Sequence, residues 1–222
     1  MILDKRADLG HGDVKKLLFS LSVPTITSQI VNMLYNLVDR VFIGHMQPAE
    51  TVGKLALTGV GVCLPIIMVI SAFASLMAIG GAPRASIAEG AGESEKSEHI
   101  MGNCLTMLVI TALVLTVLFE SFAEPLLLMF GASENTIGYA LDYMRIYALG
   151  TIFVQLTLGM NSYITAQGFA TVSMKTVLIG ALLNTALDPL FIFVLGLGVR
   201  GAALATVISQ AVSAVWVMTF LT

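Results

Sequence analysis

The sequence predicts an all-α polytopic membrane protein, a bundle of six transmembrane helices, and three observations lead to that class. Hydrophobic residues fill 57% of the 222 positions and charged residues only 11%, where a soluble domain carries roughly a quarter charged. The mean hydropathy of +0.91 would leave a very large apolar surface in water, so lipid is the expected solvent. The apolar residues also gather into six runs of membrane-spanning length. None of these alternates as a barrel strand would, and helices satisfy their backbone groups internally in hydrocarbon.

The runs are 17–42, 55–79, 101–118, 139–165, 174–195 and 199–222, each close to the roughly 20 residues that cross a bilayer. Residues 1–16 form an expected cytoplasmic segment and 17–222 a single six-helix lobe. The first run follows Lys15 and Lys16 but is a poor export signal: the leader mixes acids and bases, and no small-residue cleavage pattern ends the run at Phe42. The connectors are charged or rich in Gly and Pro: Gly44 to Lys54, Gly80 to Glu98, Phe119 to Asn135, Gln167 to Ser173, and the tight Gly196-Leu197-Gly198 turn. The sixth run reaches Thr222 with no polar tail, as expected of an excised part of a longer protein or of a helix ending at the membrane surface.

Orientation follows from the basic residues on each side. With the N-terminus inside, Lys5, Arg6, Lys15, Lys16, Arg84, Lys96 and Lys175 are cytoplasmic and Arg40, Lys54, Arg145 and Arg200 are outside, which places both termini in the cytoplasm. A net charge of -3 and the absence of a basic cluster interleaved with aromatics exclude nucleic acid as a partner. Cys63 and Cys104 lie in apolar runs without a second metal-spaced ligand and read as small buried hydrophobes. His11, His45 and His99 fall in termini or connectors, and Glu89, Glu93, Glu95 and Glu98 read as a solvated acidic loop.

The polar residues inside the runs carry the functional signal, since an ionised Asp at a helix centre costs about 2.5 to 3.5 kcal/mol on insertion scales. Helix 1 places Thr25, Gln29, Asn32, Asn36 and Asp39 at steps of four and three, hence on one face. Five in register ending in an acid point to a cavity rather than to interhelical bonding alone. Helix 5 sets Asn184 one turn before Asp188, with Pro189 next. That proline removes a backbone donor and frees a carbonyl near Ala186 or Thr185, which makes either a fixed kink or a moving bend, and Pro24 in helix 1 poses the same choice. Helix 6 offers Thr206, Gln210 and Ser213 on one face, with Ala202, Ala203 and Ala205 permitting close approach. Depth counting puts Asp39, Asp188 and Thr206 in the same outer half of the bilayer; Gln155 and Asn161 of helix 4 are further polar positions, Asn161 nearer the inner end.

Four strings carry a resemblance: Tyr35-Asn36-Leu37-Val38-Asp39-Arg40-Val41-Phe42-Ile43-Gly44, the Gly-rich stretch Gly80 to Gly92, Leu183-Asn184-Thr185-Ala186-Leu187-Asp188-Pro189, and Leu197-Gly198-Val199-Arg200-Gly201-Ala202-Ala203-Leu204-Ala205-Thr206. In this order and spacing the chain resembles the N-terminal lobe of the multidrug and toxic compound extrusion (MATE) family. The resemblance implies a multi-pass plasma-membrane antiporter that exports small cationic organic compounds in exchange for H+ or Na+, needs no other cofactor and is not an enzyme. It implies ion coupling at Asp39, Asn184, Asp188 and Thr206, with Na+ a candidate at the last three, and no structural metal. Gln29, Asn32, Tyr35, Asn36 and Asn161 would line the substrate cavity, and Pro24 and Pro189 would be hinges. The partners implied are membrane lipid and a missing C-terminal lobe or a second copy of the chain.

Three other readings use the same residues: a homodimeric six-helix transporter complete without a second lobe, an intramembrane aspartyl protease using Asp39 and Asp188, and a channel. Against the protease, Asp39 precedes Arg40 and Asp188 precedes Pro189, with no Tyr-Asp or Gly-x-Gly-Asp context. A serine protease would need a base, and no His lies in any run; Asn-Pro-Ala pairs and carbonyl-filter strings of pores are absent too.

Overall fold

A computed structural model describes residues 13–222; Lys5, Arg6, His11 and most of the expected segment 1–16 lie outside the described residues. Within them the chain is helical, without strands. Helix α1 spans Val14–Gly44, α2 Lys54–Val62, α3 Leu64–Gly90, α4 Ser94–Met129, α5 Ile137–Leu149, α6 Thr151–Ala166, α7 Ala170–Pro189 and α8 Val199–Leu221. Two π-helical turns, Ala49–Gly53 and Leu190–Val194, precede α2 and follow α7. Five stretches are long and apolar enough to cross a membrane: Val14–Gly44, Thr51–Gly90, Ser94–Met129, Ala170–Val194 and Val199–Leu221.

The expected helix 139–165 is divided. It becomes α5 and α6, joined at Gly150, whose amide is shared between the carbonyls of Ile146 and Tyr147. A Cβ on Gly150 would run into the side chain of Val207, so the joint is where α8 presses closest. No hydropathy window sees such a break, because both sides of it are apolar.

Other helices outrun their expected ends. The third expected helix, 101–118, is α4 from Ser94 to Met129, and the second continues in α3 to Gly90. Hydropathy stops at the first charges, but a helix stops where its carbonyls are capped. Gly92, Gly131 and Gly168 take φ of 79°, 102° and 91°, and the next residue's amide reaches back five residues in each case: Glu93 to Ala88, Ala132 to Leu127, Phe169 to Ile164. Glycine tolerates that left-handed backbone, which makes these the chemical end signals. Glu89, Glu95, Glu98 and His99 therefore sit on helices rather than in a loop, all exposed. Near its far end α4 kinks at Phe122 (φ −119°, ψ 18°), three residues before Pro125.

Packing follows the small residues, as expected where lipid removes the hydrophobic drive between helices. Helix α3 lies against α4 and α6, α7 against α1 and α8, and α6 against α8. A Cβ on Gly201 would lie 2.7 Å from the backbone of Phe191, and one on Gly59 would lie 2.9 Å from Cβ of Tyr139. Ala202, Ala203 and Ala205 are fully buried. Gln155, expected near the polar site, instead ties α6 to α3: its Nε2 donates to the Ile70 carbonyl at 2.9 Å. Cys63 is buried and Cys104 half-buried, both free. Helix α1 packs chiefly on α7 and stays open elsewhere, with Phe19 and Met33 68% and 72% exposed.

Candidate functional site

A cavity of about 520 Å³ opens between α1, α3, α6, α7 and α8. Four helix faces furnish its polar wall, each at helical spacing: Thr25, Gln29 and Asn32 from α1; Thr157, Asn161 and Thr165 from α6; Ser173, Thr176, Gly180 and Asn184 from α7; Thr206, Ser209, Gln210 and Ser213 from α8. Ala78 and Ala82 of α3 form an apolar side. No charged side chain borders this space among the described residues. Its charge lies one layer behind.

That layer is the α7–α8 contact. Asn184 Nδ2 donates to Asp188 Oδ1 at 3.2 Å and to Thr206 Oγ1 at 3.4 Å, while the Thr206 hydroxyl donates to the Ala202 carbonyl at 3.1 Å. Asp188 is fully buried. Its second oxygen, Oδ2, and the Asn184 Oδ1 are buried acceptors without a donor. Buried acceptors almost always find a partner, so two left open at one helix contact are exceptional. The arrangement depends on close approach of α7 and α8: a Cβ on Gly180 would lie 2.7 Å from Ser213 Oγ, and that hydroxyl donates to the Thr176 carbonyl at 3.3 Å.

Asp39 is buried as well, with Oδ1 unpartnered. It lies within electrostatic reach of Asp188 and Tyr143, but it does not border the cavity. Tyr35 does, beside Gln210. Asn36 falls outside the lining: it is exposed, and its Nδ2 donates to the Asn32 carbonyl at 2.6 Å, so the helix itself satisfies the amide that sequence spacing assigns to the cavity. Asn161 is in the lining, its Nδ2 on the Ser173 carbonyl at 3.3 Å and its Oδ1 unpartnered.

Pro24 stands inside an unbroken α1, with the Ser28 hydroxyl donating to its carbonyl at 2.8 Å. Thr25 and Thr27 back-bond to Leu21 and Val23 in the same way, a pattern that bends and loosens helices. Pro189 closes α7, and the backbone widens after it into the π turn, where the Leu195 amide donates to the Leu190 carbonyl at 2.9 Å.

Sequence reading missed Thr157, Thr165, Ser173, Thr176 and Ser209. The steps Thr157-Asn161-Thr165 and Thr176-Gly180-Asn184-Asp188 are regular fours, so the signal is present. Hydroxyl residues are too common in membrane helices for it to stand out. Tyr143 was also missed; its hydroxyl lies beside Thr206 from α5.

Fold and site together define a helical membrane protein with a polar-walled chamber of about 520 Å³ and a buried acid behind its wall. The MatE family model matches residues 24–190, and the chain belongs to that family. It is 30% identical over 203 residues to the multidrug export protein MepA of Staphylococcus haemolyticus (strain JCSC1435), covering 91% of this chain and 44% of that protein. It is 26% identical to MepA of Staphylococcus aureus (strain NCTC 8325 / PS 47) with the same coverage. Crystal structures of MATE in the straight and in the bent conformation superpose with a TM-score of 0.86 at 28% identity, over 95% of this chain and 45% and 46% of theirs. The chain thus spans less than half the length of the relatives it matches.

The cavity wall makes a direct prediction. Single cysteines at Gln29 and Asn32, in a background lacking Cys63 and Cys104, are expected to react with a membrane-impermeant thiol reagent several-fold faster than cysteines at Leu34 and Leu37. Equal or reversed rates would mean that this face of α1 does not meet water.

Proposed function

We propose that the chain is one half of a secondary antiporter that exports cationic drugs or toxic organic compounds in exchange for H+ or Na+. A single observation carries the reading: a polar chamber wide enough for a small organic molecule is backed by a buried Asp188 whose free oxygen, with that of Asn184, has no donor. A cation or a proton on Asp188 neutralises the buried charge. Loss of it leaves a carboxylate that attracts a cationic substrate, so ion and drug compete for one electrostatic field.

Asn184 and Thr206 supply neutral oxygens beside the carboxylate, the donor set that suits a hard cation such as Na+, and a proton needs only the carboxylate. Pro24 and Pro189 act as hinges, Asp39 adds a second acid, and Gln29, Asn32, Tyr35 and Asn161 meet the substrate. Tyr35 with the amides offers an aromatic face and hydrogen-bond acceptors, which fits cationic aromatic compounds. The chain is a transporter rather than an enzyme, resides in the plasma membrane as one six-helix lobe with both termini cytoplasmic, and works opposite a second lobe. MepA, named a multidrug export protein, supports the substrate class.

The test is uptake of an ethidium-like cation by vesicles carrying the chain joined to a second six-helix lobe, under an imposed proton or sodium gradient. Accumulation that requires one of the two gradients supports antiport and identifies the ion. Gradient-independent equilibration would instead mean a channel.

A further inference from the structure

The corner between α3 and α4 holds a second concavity, of about 1060 Å³. Toward the membrane interior it is walled by Leu76, Ile79, Gly80 and Asn103, and toward the helix ends by Arg84 and Lys96. Leu76 and Ile79 are 61% and 76% exposed. A Cβ on Gly80 would meet nothing within 4 Å, so the glycine leaves open room rather than making a close helix contact.

Arg84 is six residues short of Gly90, the last residue of α3, which sets it about 9 Å inside the helix end at 1.5 Å per residue. A guanidinium stays charged there and calls for an anion or for water. No described residue bonds or ion-pairs with it. Lys96 is paired with Glu93 at 2.7 Å, so the three charges of the lining leave one positive charge, centred on Arg84. The carboxylates of Glu89, Glu95 and Glu98 are exposed and lie outside the lining, where water and salt screen them. A single negative charge on an apolar body is what the groove complements.

We propose that this groove binds one anionic phospholipid, its phosphodiester on Arg84 and an acyl chain lying over Gly80 between Leu76 and Ile79. Arg84 pairs with phosphate oxygens through two parallel N–H donors. Basic pockets between membrane helices bind lipid headgroups by this combination of charge and apolar wall. Ile79 and Pro83 border both this groove and the central cavity, so a bound lipid would rest against the outer side of the wall whose inner side faces the transported compound.

The experiment is native mass spectrometry of the purified full chain with phosphatidylglycerol or phosphatidylcholine. One phosphatidylglycerol is expected to stay bound in preference to phosphatidylcholine, and Arg84→Gln is expected to lower its retention about fivefold while leaving phosphatidylcholine unchanged. Gly80→Leu, which fills the groove and keeps the charge, should lower it too. Lys15→Gln together with Lys16→Gln, on α1 and outside the groove lining, should not. Retention by Arg84→Gln equal to that of the parent would overturn the proposal. So would displacement of the lipid by equimolar glycerol 1-phosphate, which would mean a site for a free anion, or a dimer of the parent chain that excludes lipid and is lost in Gly80→Leu, which would mean that a second copy fills the groove.

Discussion

Asp188→Asn is expected to abolish gradient-driven export by the complete two-lobe transporter while leaving the lobe folded. The carboxylate is fully buried, bonded through Oδ1 to Asn184 and unpartnered at Oδ2. The substitution keeps the shape and the acceptor that Asn184 uses, but the site can no longer carry a negative charge. Without that charge the driving ion loses its site, and the expected loss of coupled flux is at least about a hundredfold, on the order of 3 kcal/mol of coupling. Stability should move the other way or not at all, because an unpartnered buried charge costs free energy in the folded lobe. Helical content and the thermal midpoint in detergent should therefore match or exceed those of the parent. Coupled efflux at the parent rate would remove Asp188 from the mechanism, and a Ser209→Ala control, changing a lining hydroxyl, should lose far less.

The sequence made the class of fold legible because hydrocarbon imposes a length and a composition that few other environments impose. It made the core of the site legible for a related reason. Asn184 and Asp188 are costly in lipid, so each is conspicuous, and the structure brings the two into hydrogen-bonded contact with one another, Asn184 donating to Thr206 as well. What stayed hidden depends on partners rather than on local chemistry. The chain breaks its helix at Gly150, where the Val207 side chain leaves no room for a Cβ, and nothing near Gly150 in the sequence names Val207. Asn36 obeys the period of the polar stripe, yet its amide finds the Asn32 carbonyl on its own helix, a choice that spacing does not reveal. Gln155 is as polar as Asn161 and is spent on holding α6 to Ile70. Periodicity identifies faces, and only packing decides which polar residue on a face is buried between two helices and which borders the cavity.

The chain by itself is expected to fold as one lobe, to associate in mild detergent and to transport nothing. Its core closes without help, since α3, α4, α6, α7 and α8 pack on one another and bury residues such as Ile70, Leu108 and Tyr163 almost completely. Its cavity does not close. Helix α1 is backed chiefly by α7, and Thr25 and Gln29 of the lining remain exposed. Amides left in lipid without partners cost several kcal/mol in total, so in vesicles they must meet water, a second lobe or a second copy. The relatives are more than twice as long, which favours a second lobe, and two copies about a two-fold axis are the nearest substitute. Alternating access needs one half to rock against another around a fixed site. Vesicles holding only this chain should accordingly show no ethidium accumulation above that of empty vesicles under either gradient, whereas joining a second lobe should restore it. Size-exclusion with light scattering should give a dimer or larger species instead of a monomer. Gradient-dependent uptake by the chain alone that disappears with Asp188→Asn would show that a pair of these lobes suffices, and the homodimeric transporter would replace the half-transporter as the functional unit.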